Sequence, residues 1–131
     1  MLDGELLRTR VDSKAIGDEL LIYGSCIMDE FPGLLSDHAA TPKLRVCMEE
    51  YHINKVAWKI QSIARVKGLK RITVLTVDGS PHCIQLHYAV DDVGKVFPEL
   101  ELLHEVVAQG EKKRIKRGTV RRSRHLSELQ S

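Results

Sequence analysis

The sequence predicts an α/β protein: a small three-layer sandwich with a mainly parallel sheet and a mixed C-terminal extension. Three observations carry this. Compact apolar runs recur at Glu19–Tyr23, Lys43–Val46 and Arg71–Val77. An amphipathic segment lies between the second and third, and another follows the third. Strands alternating with helices imply parallel pairing through right-handed crossovers.

At 131 residues, the chain is expected to form one α/β domain over 1–131, with a basic C-terminal segment at 111–131. The fractions of apolar (43%) and charged (29%) residues suit a globular chain and argue against wholesale disorder.

Residues 1–17 are ambiguous. Glu5–Val11 fits a short strand or an amphipathic turn, and Asp12-Ser-Lys reads as a turn. The first clear strand, 19–23, is bounded by Gly17-Asp18 and Gly24-Ser25-Cys26. Between Ile27 and Thr41, Phe31-Pro32-Gly33 and Thr41-Pro42 leave room for a short helix at most. Strand 43–46 runs directly into Cys47. In the helix that follows, Ile53, Val56, Ala57, Ile60, Ile63 and Ala64 recur at spacings of three and four, and Gly68 is the natural stop.

The run Ile72-Thr-Val-Leu-Thr-Val77 suggests a strand buried on both faces. It ends at Asp78-Gly79-Ser80-Pro81, where Ser80 suits an N-cap and Pro81 the first helical position. Leu86, Val90, Val93 and Phe97 continue as a helical stripe, with Cys83 one turn earlier on the same face. Beyond Pro98 a helix competes with a hairpin. The hairpin is preferred because Gln109-Gly110 separates strand-like runs at 102–107 and 111–115. The tail Thr119–Leu129 reads as a basic terminal helix.

Chemistry is expected at the corner after strand 71–77. Cys26, Cys47 and Cys83 each follow a strand, and open parallel sheets bind ligands beyond the carboxyl ends of their strands. Helix N-termini favour the thiolate at Cys83 and, less clearly, at Cys47, where Glu49 and Glu50 oppose it. Cys83 and His87 share a helix face, and His82 stands in the turn. Three cysteines with one histidine suit tetrahedral zinc; three cysteines with another ligand suit an iron–sulfur cluster. The plainer alternative is three packed thiols, since free cysteine is often buried as a small apolar side chain. His52 starts a helix near the same edge, whereas His38, His104 and His125 suggest ordinary surface or core histidines.

Two further readings stay open. Gly79 and Ser80 could cradle a phosphate ligand through backbone N–H groups, with Cys83 as the thiol of an enzyme. No G-x-G-x-x-G, Walker or nucleophile-elbow pattern accompanies them. Separately, Glu111–His125 carries eight Lys and Arg against one acid, a local +7 in a chain of total +2, leaving −5 elsewhere. The stretch Lys112–Arg124 could therefore bind nucleic acid or an acidic partner. Sparse aromatics (5%) weaken a base-stacking surface. With no apolar run of membrane-span length and no leader pattern at Met1–Arg8, a cytoplasmic protein is expected. Disulfides are then improbable.

Residues 44–88 resemble the small iron–sulfur subunit associated with methyl-viologen-reducing hydrogenase and heterodisulfide reductase. The features that carry the likeness are Arg45-Val-Cys47, the hydrophobic strand, and Val77-Asp-Gly-Ser-Pro-His-Cys-Ile-Gln-Leu-His-Tyr88. The resemblance implies electron transfer within a multisubunit complex, and the partner expected is a redox protein or, alternatively, a further copy of the chain in a homo-oligomer. Asp78 and Ser80 stand where that family would be expected to place further ligand-like residues.

Overall fold

In the computed structural model, residues 3–38 and 41–122 are described. They form a six-stranded sheet with β1 at Asp3–Glu5, β2 at Glu19–Gly24, β3 at Lys43–Val46, β4 at Arg71–Val77, β5 at Glu101–Ala108 and β6 at Glu111–Ile115. The strand order is β1-β3-β2-β4-β5-β6. Every pairing is parallel except β5 with β6. The helices are α1 (Ser25–Glu30), α2 (Ile53–Lys67), α3 (Ile84–Val96) and α4 (Arg117–Arg122), with 3-10 turns at Leu6–Arg8 and Pro32–His38.

The three expected strands lie side by side in the centre, and the mainly parallel α/β class is as read. Burial on both faces explains their composition. All of β2 after Glu19 is buried, and so are the five inner residues of β4. One face packs Leu20, Ile22, Leu44, Ile72 and Val74 against Val56, Ile60 and Ile63 of α2 and Leu86, Val90 and Val93 of α3. The opposite face sets Leu21, Tyr23, Leu75 and Val107 against Ile27 of α1 and Leu35 of the second 3-10 turn. Tyr23 also anchors the edge, its hydroxyl 2.8 Å from Asp3 Oδ1. Burial, then the bond to Asp3, pushes its phenol up to about 12.

Local chemistry ends each element. The His52 side chain accepts from the Asn54 N–H and caps α2, so it is a structural cap here. Gly68 closes the helix at φ 61°, in the left-handed region that favours glycine. Gln109 and Gly110 both have positive φ, 54° and 77°, as a two-residue hairpin loop demands. The ambiguous N-terminal segment divides at Glu5, strand before it and 3-10 turn after. Of the expected basic terminal helix, α4 is observed, while residues 123–131, with His125, lie outside the described residues.

Close helix–sheet packing concentrates at Gly94. A Cβ added there would lie 2.4 Å from Leu102 Cδ1 and 2.9 Å from Arg117 Nη2. Arg117 is pinned by bonds to Asp91, so it cannot simply swing away. Gly94→Ala should therefore lower stability by about 1–3 kcal/mol, read as a lower urea midpoint.

Candidate functional site

The chain leaves β2 toward β3 on one side and returns through α2 to β4 on the other, so the connection reverses direction between β2 and β4. That is where an open α/β sheet makes a crevice. Cys83 stands at it: a Cβ on Gly24, the last residue of β2, would be 3.5 Å from Cys83 Sγ. Cavities flank this point on both sides.

The cavity beyond β4 and β5 has a volume of about 360 Å³. Val77, Pro81, Ile84, Val106, Ile115 and Val120 make its apolar wall, and Thr76, Asp78, Gly79, Ser80, His87 and Thr119 supply polar atoms. It joins the predicted corner to two elements that follow much later in sequence, β6 and α4. The corner itself is built largely as read. Gly79 turns at φ +88°, and Ser80 Oγ accepts from the Cys83 N–H at 3.2 Å. The helix proper begins only at Ile84, because residues 80–83 form a preceding turn in which the Ile84 N–H bonds to the Ser80 carbonyl. Asp78 continues the β4–β5 ladder, its N–H donating to the Val107 carbonyl.

Behind the cavity runs a buried chain of polar side chains. Thr76 Oγ1 lies 2.7 Å from His87 Nε2, and His87 Nδ1 lies 2.9 Å from His104 Nδ1. Both rings are buried. Loss of hydration, then the neighbouring His104, takes His87 down to about 3. Burial lowers His104 to about 4 against the opposing pull of Asp91, with Arg117 adding to the fall. Both are neutral at pH 7, so each ring carries one N–H. Among the described residues, His104 Nε2 meets no hydrogen-bond partner.

Next to His104, Asp91 is fully buried on α3. Arg117 donates from Nε to its Oδ1 at 2.5 Å and from Nη2 to its carbonyl at 3.2 Å, while Lys95 Nζ is 3.9 Å from Oδ2. The arginine opens α4, so this ion pair fixes the helix that supplies Thr119 and Val120 to the cavity.

The thiols occupy the other part of the edge. Cys26 and Cys47 line a second cavity of about 230 Å³ with Asp29, Arg45, Glu50 and Tyr51. Burial raises the Cys26 thiol, and Cys83, Glu30, Cys47 and Asp29 push it further in the same direction. Cys83 and Cys47 thus stand near enough to Cys26 to act on its thiol. Among the described residues, however, no group of three or more His, Cys, Asp or Glu is arranged to hold a metal ion. His87 turns to Thr76 and His104, whereas His82 is half-exposed, its Nε2 3.4 Å from Glu49 Oε1. Neither histidine completes a ligand set with the thiols.

The basic stretch is partly spent inside the fold. Arg114 reaches the buried Glu105 at 3.4 Å, and Arg117 holds Asp91. Lys112 Nζ lies 3.3 Å from His38 Nε2, which is itself 3.4 Å from Glu105 Oε1. His104 was the residue sequence reasoning passed over. Its signal was a histidine on an apolar strand directly beside Val74 of β4 in the sheet.

Residues 16–129 match the family described as a Rossmann-like domain. The chain belongs to that family. Nothing in the match bears on the iron–sulfur subunit that residues 44–88 resemble. No curated protein and no solved structure matches the chain. No helix among the described residues is long and apolar enough to cross a membrane.

The buried histidines set a pH dependence. Folding lowers both below the ordinary 6.5, so the unfolded chain binds more protons as the pH falls. Their contribution is complete above about pH 6.5 and is lost as the pH drops toward the folded values near 4 and 3. Urea titrations should show stability falling between pH 6.5 and 4, with these two sites adding up to roughly 2–3 kcal/mol per pH unit. A His87→Gln, His104→Leu double variant should flatten that dependence.

Proposed function

We propose that this Rossmann-like domain binds a compact, predominantly apolar small molecule in the cavity between the β4–α3 loop, β5 and α4. One observation carries the reading: a mostly apolar cavity of about 360 Å³ with a few convergent polar groups lies beyond the carboxyl ends of β4 and β5. That volume falls within the roughly 300–1,000 Å³ of small-molecule sites, and the position is where parallel sheets place ligands.

A phosphate ligand at Asp78–Cys83 is less well supported. The N–H groups of Cys83 and Ile84 are taken by Ser80, and the acidic Asp78 is among the residues lining the cavity. An anion would meet a like charge with fewer free donors. An uncharged or cationic ligand meets neither obstacle.

Titration with toluene, followed by amide chemical shifts, tests the reading. Saturable shifts are expected for Val77–Ser80, His82–Ile84, Val106 and Val120, and Ile84→Trp, at the half-open mouth, should abolish them. Absence of shifts at these amides, or equal shifts around Cys26 and Cys47, would refute it.

A metal–thiolate or iron–sulfur electron-transfer function ranks second. It is favoured by the influence of Cys83 and Cys47 on the Cys26 thiol and lacks an assembled ligand set among the described residues. Anaerobically purified protein with stoichiometric iron or zinc, lost in Cys47→Ser, is the outcome this reading expects. Metal-free, colourless protein removes it.

A further inference from the structure

We infer that the cavity selects ligands that donate a hydrogen bond, an uncharged hydroxyl or amide N–H on a compact apolar body, because the Thr76–His87–His104 chain presents Thr76 Oγ1 to the cavity as an acceptor. The inference rests on the proposed ligand site and adds the chemical sense of its anchor.

The chain has two possible directions. The rings meet Nδ1 to Nδ1, and each neutral imidazole carries one proton, so one ring donates and the other accepts. If His104 donated from Nδ1, its Nε2 would be a bare lone pair. His87 would then be protonated at Nε2 and donate to Thr76, leaving the hydroxyl proton free for the cavity. If His87 donates instead, His104 keeps its proton at Nε2. His87 Nε2 then accepts the Thr76 hydroxyl proton, and only the oxygen lone pairs of Thr76 remain for a ligand.

The surroundings decide between them. The negative charge of Asp91 favours a proton on His104, and Arg117, the opposing charge, acts more weakly there. Arg117 is itself engaged by that carboxylate. A buried Nε2 that finds no partner among the described residues therefore costs less as an N–H in a negative field than as a lone pair in the same field. An independent feature agrees: the one acidic residue among those lining the cavity, Asp78, brings a negative charge that also favours donors over acceptors. The buried Asp91 thus sets, through two rings, the character of a hydroxyl in the cavity.

Two measurements on the full chain test this. Nitrogen-15 spectra of the histidines should show His87 protonated at Nδ1 and His104 at Nε2; a proton at His104 Nδ1 would overturn the inference. Cyclohexanol and cyclohexanone then serve as probes of nearly equal shape, only the alcohol being a donor. Binding of the alcohol is expected to be roughly fivefold to tenfold tighter. Thr76→Val should bring the two to parity, and Thr76→Ser should restore the preference. If toluene binds but the alcohol is not preferred, this inference fails and the ligand-site reading stands. If toluene does not enter the cavity, the ligand-site reading fails and takes the inference with it.

Discussion

Asp91 is a carboxylate without exposure to water in a fold whose parts arrange themselves around that fact. A buried charge of this kind is tolerable only when paired and hydrogen-bonded, and losing a partner typically costs about 3–5 kcal/mol. Arg117 supplies the pairing from outside the sheet, bonding both the carboxylate and the backbone carbonyl of Asp91. In doing so it seats α4 over the end of β4 and β5 and gives the open sheet edge the far wall of a cavity. The same charge biases the protons of the histidine chain. Helix docking, cavity closure and hydrogen-bond direction therefore share one electrostatic origin.

Much of the fold could be read from the residues because its signals are local. β-branched runs buried on both faces mark β2 and β4, helical spacing marks α2, and Gly68 marks its end. The hairpin was decided by Gln109-Gly110, whose positive φ angles are a local requirement. The corner at Asp78–Ser80 was legible for the same reason. Strand-to-turn chemistry is written in adjacent residues.

The rest of the site was not legible because it is made of distant partners. His104 and His87 are 17 positions apart and belong to different elements. Only the parallel register that sets His104 beside Val74 carries the first ring to the face covered by α3. Arg117 and Asp91 are 26 apart, and within a run of cations nothing distinguishes the one that turns inward. The thiols show the converse. Their common edge followed from topology, yet a shared edge does not fix the shorter distances a metal requires. Cys83 instead packs beside Gly24, where a small side chain suits the close approach of the strand end.

The cations of β6 have a second consequence. Among the described residues β6 is the last strand of the sheet, beyond β5, and the outer edge of a sheet is the usual template for intermolecular strand addition. Lys112, Lys113 and Arg114 fill its centre, so an approaching strand would meet a row of positive charge. Glu105 on β5 neutralises part of that row from the inside. The strand that walls the cavity is thereby also the one that keeps the sheet from growing into a neighbouring molecule.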